Sequence, residues 1–210
     1  MSTKQGDYKE LWNNRYRACD FAYGKEPNLF FKDQLDQLKP GKILLPAEGE
    51  GRNAVYAATK DWGVSAIDFS EEGRQKALSL AKEFNVTINY SVEDIEQLES
   101  KEDSFDAIGL VYAHFIAEKK STIHGKLHAC LKKGGIIIFE AFSKNNLPLV
   151  KANPNVGGGM DINMLFSIEE LKTDFSAYQI LLLEEREIEL NEGLYHNGIG
   201  SVIRFVGRKL

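Results

Sequence analysis

The sequence feature that most constrains the fold is an alternation of strand-like runs with helix-like segments that begins at residue 43. The strand-like runs lie at 43–45, 64–67, 86–90, 105–112 and 136–142, and the helix-like segments between them lie at 53–60, 70–84 and 121–131. This alternation predicts right-handed crossovers and a doubly wound parallel sheet of the α/β class. Ligands of such sheets bind beyond the carboxyl ends of the strands.

The end of the sequence departs from this rhythm. A capping box opens a helix-like segment at 167–175, and strand-like runs follow at 180–190 and 200–206. These two runs are expected to pair as a C-terminal antiparallel hairpin, which gives a seven-stranded, mostly parallel sheet. Residues 143–163 contain three consecutive glycines and two prolines, so we expect a lid or substrate loop there.

Length and charge restrict the classes of function. A chain of 210 residues is expected to form one domain over residues 1–210, and a net charge of −5 argues against a nucleic-acid partner. The polar start of the sequence and the lack of any run near about 20 apolar residues predict no membrane partner. Cys19 and Cys130 form no CxxC pair. We therefore expect no disulfide framework, no thiolate metal site and a cytoplasmic location.

The turn after the first strand is glycine-rich and precedes a helix. Gly49 and Gly51 allow positive φ and a close approach of the backbone to a ligand, and the helix from Asn53 presents free N–H groups to an anionic group. Asp68 ends the second strand, where a carboxylate accepts hydrogen bonds from the two ribose hydroxyls of an adenosine. The pattern predicts a nucleotide-like ligand. An ordinary turn and a capping acid are the alternatives.

Four segments together resemble the successive motifs of class I S-adenosylmethionine-dependent methyltransferases: KILLPAEGEGRNAVYAA, VSAIDFSEEGRQKA, FDAIGLVYAHF and LKKGGIIIFEAF. The resemblance spans about residues 10–209. Within that superfamily the chain is similar to the tellurite-resistance and thiopurine type, notably in its ending EGLYHNGIGSVIRFVGRK. The resemblance implies a Rossmann-like methyltransferase fold and S-adenosyl-L-methionine as cofactor. It also implies methyl transfer to a small molecule, with a sulfur, selenium or tellurium nucleophile among the methyl acceptors considered.

The resemblance implies that successive strand ends contribute the cofactor-binding residues. These are Ala47, Glu48, Gly49, Gly51, Asn53, Asp68, Phe69, Glu93, Asp94, Ile95, Val111 and Tyr112. Asp68 would bind the ribose, and Phe69 would pack against adenine. Asp94, or Glu93 in its place, would accept a hydrogen bond from the adenine amino group, with a helix N-cap as the alternative for Asp94. Residues 111–112 would line the methionine end.

One part of the glycine motif departs from the family pattern. Leu45 occupies the position of the usual acid, and Ala47 replaces the first glycine. The acid normally recognises the methionine ammonium, so its loss needs a substitute. We hypothesise that Glu48, which lies between Ala47 and Gly49, supplies the negative charge. A solvated Glu48 is the alternative.

The methyl acceptor is expected beyond the end of the fourth strand. His114 follows that strand and would position or deprotonate the acceptor, with a purely structural role as the alternative. The resemblance implies that residues 1–38 form a segment that covers the cofactor and substrate. The acceptor pocket would be bounded by Tyr23, Tyr112, His114, Met160 and His196. His196 lies between the last two strands, where a turn histidine without a chemical role is the alternative.

Two other functions fit part of the sequence. Residues 49–54 match the G-x-G-x-x-G/A fingerprint of an NAD(P)-dependent oxidoreductase, and Asp68 fits its ribose acid. A non-catalytic S-adenosylmethionine-binding protein would explain the altered Leu45 and Ala47. His124 and His128 have metal-ligand spacing on a predicted helix. Because no third ligand lies nearby, we predict no metal site.

Overall fold

A computed structural model describes residues 3–18, 20–98 and 102–210, so Cys19 lies outside the described residues. The helices are α1 (Thr3–Arg17), α2 (Leu29–Leu35), α3 (Arg52–Thr59), α4 (Glu71–Glu83), α5 (Lys120–Cys130), α6 (Asn146–Ala152) and α7 (Ile168–Asp174). The strands are β1 (Lys42–Pro46), β2 (Gly63–Asp68), β3 (Asn89–Val92), β4 (Phe105–Val111), β5 (Leu131–Phe142), β6 (Tyr178–Glu192) and β7 (His196–Lys209).

The strands of the described chain form one seven-stranded sheet in the order β3-β2-β1-β4-β5-β7-β6. Strands β1 to β5 run parallel, whereas β7 lies antiparallel between β5 and β6. The prediction of a doubly wound, mostly parallel sheet with a C-terminal antiparallel hairpin is therefore confirmed. The strand order reverses between β1 and β4, which is where open sheets of this kind bind ligands.

Some strand limits differ from the predicted ones. The third strand begins at Asn89, because the Val86 amide donates to the Ala81 carbonyl and so belongs to the turn that closes α4. The fifth strand begins at Leu131, which pairs with Phe105 ahead of an irregularity in the ladder. The two hairpin strands extend beyond the predicted 180–190 and 200–206.

Apolar side chains cover both faces of the sheet. Because successive strand residues point to opposite faces, Leu44 packs on the side of α5 and α7, and its neighbours Ile43 and Leu45 pack on the side of α2 to α4. Leu45 is fully buried. A Cβ at Gly109 would lie 2.6 Å from a Leu45 methyl group and 2.7 Å from the Phe31 ring. Leu45 therefore fills core space that leaves no room for a solvated acid.

The carboxyl ends of the parallel strands face α1 and the residues that follow it. Trp12, Arg15 and Tyr16 of α1 line a cavity that opens at these strand ends. Among the described helices, we find none with the length and apolarity that crossing a bilayer requires.

Candidate active site

The cavity at the carboxyl edge has a volume of about 890 Å³. It brings together residues that the sequence places on separate strand ends. Lining it are the predicted Tyr23, Ala47, Glu48, Gly49, Asn53, Asp68, Phe69, Glu93, Asp94, Ile95, Val111, Tyr112, His114, Met160 and His196. Of the predicted site residues, Gly51 is the one that does not line it. The cavity is also lined by residues that no sequence pattern predicts as site residues: Tyr8, Glu50, Arg52, Phe142 and Tyr195.

The two glycines of the turn after β1 have different functions. Gly49 has a φ of 60°, and a Cβ there would lie 2.6 Å from the Tyr16 hydroxyl. Its carbonyl accepts a 2.6 Å hydrogen bond from the Tyr90 hydroxyl. Gly51 has a φ of 87° and begins α3, and a Cβ there would lie 2.4 Å from the Cβ of Ala77 in α4. The lack of a side chain at Gly49 therefore lets Tyr16 approach the backbone at the cavity wall. The lack of one at Gly51 allows α3 and α4 to approach each other.

Asp68 is fixed by backbone donors on both of its carboxylate oxygens. The Gly49 amide donates to Oδ2 at 3.0 Å, and the Ser70 amide donates to Oδ1 at 2.9 Å. Burial raises the pKa of Asp68 to about 6, although these hydrogen bonds oppose the shift. Asp68 is therefore largely ionised at neutral pH and faces the cavity with both oxygens oriented. Each oxygen retains lone-pair capacity for a further donor such as a hydroxyl.

Glu48 reaches the first turn of α3. Its Oε1 accepts a 2.7 Å hydrogen bond from the Ala54 amide. The residue is partly buried and lines the cavity. Burial raises the pKa of Glu48 to about 8, against the opposing effects of the Ala54 amide and the Arg52 charge. A cation in the cavity would favour its ionised form.

The residues after β3 form the next part of the wall. Asp94 Oδ1 accepts a 3.0 Å hydrogen bond from the Glu96 amide and begins a short 3-10 turn at Ile95–Gln97. Asp94 is therefore an N-cap, as the alternative interpretation predicts. Because it also lines the cavity, its carboxylate can in addition accept a hydrogen bond from a ligand. The Glu93 amide donates to the Asp68 carbonyl at 3.0 Å, so the ends of β2 and β3 are held together.

A buried glutamate attaches the segment after α1 to the glycine turn. Glu50 Oε2 accepts hydrogen bonds from the Ala22 amide at 2.7 Å and the Tyr23 amide at 3.4 Å, and Oε1 pairs with Lys76 at 2.9 Å. Arg15 of α1 donates to the Tyr23 hydroxyl at 2.8 Å. No sequence pattern indicates Glu50 as a site residue, because an acid between two glycines is typical of an exposed turn.

The other end of the cavity is aromatic. The rings of Tyr23, Tyr112 and Phe142 lie 4.6, 4.4 and 5.2 Å from the His196 ring, centroid to centroid. His196 Nδ1 lies 2.9 Å from Glu192 Oε2, and Arg52 pairs with the same oxygen at 3.0 Å. No sequence pattern indicates Glu192 as a site residue, since its contacts come from distant parts of the chain. Met160 lies at the rim and is largely exposed.

His114 is hydrogen-bonded to backbone at both ring nitrogens. Nδ1 lies 3.1 Å from the Met164 carbonyl, and Nε2 accepts from the Phe142 amide at 3.4 Å. Because Nε2 accepts, Nδ1 carries the proton of the neutral ring. Burial lowers the pKa of His114 to about 4. This geometry favours the structural alternative that the sequence left open, with the ring joining β5 to the loop that contains Met164.

The two histidines of α5 make different contacts. His124 Nδ1 lies 2.7 Å from Asp174 Oδ2, whereas His128 Nδ1 lies 3.1 Å from the Tyr178 hydroxyl. They therefore have separate partners. Within residues 3–18, 20–98 and 102–210, no group of three or more histidine, cysteine or acidic side chains has a metal-binding arrangement.

The residues at the glycine-turn end fit the cofactor that the resemblance implies. Asp68 offers oriented carboxylate oxygens for ribose hydroxyls, Phe69 offers a ring beside them, and Gly49 exposes backbone at the cavity wall. A Cβ at Gly49 has no space, so this cradle depends on glycine. These groups match the hydroxyls, flat base and amino-acid end of S-adenosylmethionine.

Comparison with known proteins agrees with this geometry. The methyltransferase domain family model matches residues 43–135. A ubiquinone/menaquinone biosynthesis C-methyltransferase, UbiE, from Geotalea daltonii is 27% identical over 172 residues, which are 79% of this chain and 71% of the relative.

Similar solved structures extend the likeness over the whole fold. Magnesium protoporphyrin IX methyltransferase from Synechocystis PCC 6803, solved with bound SAH, superimposes with a TM-score of 0.72 at 14% identity, over 98% of this chain and 100% of that one. TehB from Haemophilus influenzae superimposes with a TM-score of 0.69 at 20% identity, over 86% of this chain and 61% of that one. The matching domain, the similar fold and the cavity together support a class I S-adenosylmethionine-dependent methyltransferase.

Proposed function

We propose that the enzyme transfers a methyl group from S-adenosyl-L-methionine to a small-molecule acceptor inside the cavity at the carboxyl edge. The observation that supports this most is the division of one cavity into two chemically different ends. Backbone amides and the acids Asp68 and Asp94 lie at one end, and the rings around His196 lie at the other. A volume of about 890 Å³ is at the upper end of the range for ligand sites, about 300–1,000 Å³, so it suits a cofactor with a small acceptor.

We assign the cofactor to the glycine-turn end. Asp68 would bind the ribose hydroxyls, Phe69 and Ile95 would contact adenine, and Asp94 or Glu93 would accept from the adenine amino group. Residues 47–49 would pass beneath the methionine end, with Glu48 facing its ammonium. Asn53, Val111 and Tyr112 would complete this wall. Gly51 would act through the packing of α3 on α4 rather than through contact.

When bound, the cofactor supplies an electrophilic methyl group on a sulfonium. The task of the chain is then to align the acceptor and exclude water. We propose that the segment 1–38 and the loop around Met160 do this, and the support is that Arg15, Tyr23 and residues 157–160 line the cavity. We propose that they cover one active site within a single domain of residues 1–210.

The aromatic end suits a soft, polarisable nucleophile. Sulfur makes favourable contacts with aromatic rings, worth about 0.3–1.5 kcal/mol each, and Tyr112 and Phe142 have ring centroids 4.8 Å apart. We therefore retain sulfur, selenium and tellurium acceptors as the finer proposal. With both ring nitrogens of His114 bonded to backbone, we propose that this residue shapes the pocket.

Partner and location proposals follow from charge and cysteine content. A net charge of −5 disfavours binding to a phosphate backbone, so we propose a small-molecule partner without nucleic acid. The two cysteines, Cys19 and Cys130, form no CxxC pair, which fits the reducing cytoplasm.

Calorimetry with the full chain tests the proposed function. We expect S-adenosylmethionine and S-adenosylhomocysteine to bind with one site per chain, and we expect no heat of binding from NAD or NADP. The Asp68→Ala variant serves as the matched control, because it removes the proposed ribose contact. Binding of NAD together with no response to S-adenosylhomocysteine would overturn the proposal.

A further inference from the structure

Glu192 and His196 form a pair at the turn between the last two strands, in which His196 is buried and Glu192 is partly buried. Glu192 ends β6, His196 begins β7, and the two residues are partners in the antiparallel ladder. His196 Nδ1 lies 2.9 Å from Glu192 Oε2. The backbone register therefore holds the imidazole against the carboxylate, whereas a freely moving turn histidine would lack this support.

The carboxylate of Glu192 is fixed from several sides. Arg52 Nη2 donates to Oε2 at 3.0 Å, and Asn28 Nδ2 donates to Oε1 at 3.1 Å. Asn28 also donates to Glu140 Oε1 at 2.6 Å, and Glu140 pairs with Arg204 at 2.6 Å. This network connects α3, β5, β6 and β7. Glu192 thus has little freedom to leave the imidazole.

The protonation state of Glu192 determines the tautomer of His196. Burial opposes ionisation, but the His196 hydrogen bond and the Arg52 charge outweigh it and lower the pKa of Glu192 to about 2. An ionised carboxylate can only accept a hydrogen bond. Nδ1 of the neutral ring therefore carries the proton, and Nε2 carries the lone pair.

Nε2 is available to a ligand. Across residues 3–18, 20–98 and 102–210, the structure gives this nitrogen no hydrogen-bond partner. His196 lines the cavity, and a Cβ at Gly157 would lie 3.2 Å from Nε2 and 2.7 Å from the neighbouring ring carbon. Gly157, at a φ of 85°, lets the loop pass this edge of the ring without filling the space. His114 differs, because backbone groups occupy both of its nitrogens.

Burial is the main reason that the His196 ring is neutral at pH 7. Burial lowers its pKa below 6.5, Glu192 opposes this shift, and Arg52 and Arg15 strengthen it. The titratable side chains of Tyr23 and Tyr112 pack against the His196 ring, and His114 interacts with it electrostatically. Neither tyrosine carries charge at neutral pH, since burial raises the pKa of both.

We propose that His196 Nε2 accepts the proton of the methyl acceptor and that Glu192 is the positioning residue that sets its tautomer and stabilises the imidazolium. This proposal rests on the proposed function. The acceptor is then a flat, apolar or aromatic molecule whose nucleophile bears a proton, as a thiol, selenol, phenol or ring N–H. The lone pair of the acceptor's nucleophilic atom forms a bond to the methyl carbon. At the same time the bond from that carbon to the sulfonium sulfur breaks, and its electron pair goes to sulfur. The acceptor's proton moves to Nε2 and then to water.

The first test needs neither turnover nor bound cofactor. Imidazole nitrogen NMR of the full chain should show His196 as the Nδ1–H tautomer with a pKa below 6.5. In Glu192→Gln the preference for this tautomer should weaken, and the pKa of His196 should fall further, because the opposite charge is lost. A His196 ring protonated on Nε2 in the wild type would overturn the proposal.

The second test measures turnover of three protic probes: benzyl mercaptan, catechol and benzimidazole. We expect His196→Asn to lower kcat for a methylated probe by roughly 100- to 10,000-fold with S-adenosylhomocysteine affinity within about twofold of wild type. His128→Asn, which lies outside the cavity, should leave kcat unchanged. The wild-type kcat/KM should rise with pH through the His196 pKa found by NMR. In Glu192→Gln this inflection should move to lower pH, which a purely structural role would not produce.

The outcomes separate this proposal from the proposed function. If S-adenosylhomocysteine fails to bind the wild type, the proposed function is wrong. If it binds but none of the three probes is methylated, the protic acceptor class is wrong. Retention of more than about a third of kcat in His196→Asn, or an unmoved inflection in Glu192→Gln, would overturn the role of the pair.

Discussion

The Gly49 amide donates a 3.0 Å hydrogen bond to Oδ2 of Asp68, so the turn after β1 and the acid that ends β2 form one unit. The Ser70 amide holds the second oxygen at 2.9 Å. The carboxylate is therefore oriented before any ligand arrives, and little rotamer entropy remains to be lost on binding. This relationship makes Asp68 the most direct point at which to test the cofactor site.

Replacing Asp68 with alanine should weaken cofactor binding. Hydrogen bonds to a charged group contribute about 1.5–3 kcal/mol, which corresponds to roughly a 10- to 150-fold rise in Kd. Calorimetry with S-adenosylhomocysteine measures this change. The variant also leaves the Gly49 and Ser70 amides without their partner, so its stability should fall. Asp33→Ala removes an exposed acid and serves as the control. An equal Kd for Asp68→Ala and wild type would place the ribose site elsewhere.

Cofactor binding should release a proton from Glu48. Its pKa of about 8 means that the carboxyl is mostly protonated at pH 7 in the free protein. An ammonium bound nearby stabilises the carboxylate and lowers this pKa, so close to one proton should leave on binding. Asp68 contributes little, since its pKa of about 6 leaves it largely ionised at pH 7.

Titration with S-adenosylhomocysteine in buffers of different ionisation enthalpy counts this proton. In Glu48→Gln the buffer dependence should disappear, while the amide oxygen can still accept from the Ala54 amide. If the variant releases as many protons as the wild type and binds equally well, Glu48 does not face the ammonium.

Gly51→Ala should destabilise the fold. A Cβ there would lie 2.4 Å from the Cβ of Ala77, and the φ of 87° is unfavourable for any residue with a side chain. We expect a loss of at least about 2 kcal/mol in the free energy of unfolding, measured by urea denaturation. Gly125→Ala is the matched control, because nothing lies within 4 Å of its added Cβ in α5 and helix propensity favours alanine by about 0.8–1 kcal/mol. Equal stabilities of the two variants would contradict the packing role of Gly51.

The parts of the fold that the sequence could predict depend on local patterns. Apolar runs of strand length, the capping box at 167–175 and the glycines before Asn53 each act over a few residues, and the structure has a strand, helix or turn at each of them. The order of the sheet then follows from the handedness of crossovers. Strand limits were less predictable, because Val86 completes the turn after α4 instead of pairing with β2.

The acceptor side was less predictable because its contacts join distant residues. Arg52 of α3 meets Glu192 at the end of β6 through the tertiary fold alone, and no spacing rule connects two residues so far apart. A charged side chain in a turn is usually solvated, so Glu50 and Glu192 gave no signal of burial. The sequence also shows that Leu45 replaces the usual acid of the motif, but it does not show why. The structure gives the reason, because Leu45 packs in the core beside Phe31.

The buried carboxylate of Glu50 leads to the last prediction, which concerns the segment after α1. Glu50 is the acceptor for the Ala22 and Tyr23 amides and the partner of Lys76. In Glu50→Ala these amides lose their acceptor, so their hydrogen exchange should accelerate by at least about tenfold, since exchange follows the local opening free energy. Glu50→Gln keeps an acceptor oxygen but loses the ion pair with Lys76. Its exchange rates should therefore lie between those of the wild type and those of Glu50→Ala.

Because Tyr23 faces both the cavity and His196, release of this segment should also raise the KM for the methyl acceptor more than it lowers kcat. Lys25 lies on the same segment and forms an exposed ion pair with Glu83 of α4. Lys25→Ala is therefore the control, and it should leave both the hydrogen exchange of Ala22 and Tyr23 and the KM unchanged. Unaltered exchange at Ala22 and Tyr23 in Glu50→Ala would mean that Glu50 does not control access to the cavity. In that case α1 and the hydrogen bond from Arg52 to the Tyr23 carbonyl, at 3.1 Å, suffice to hold the segment.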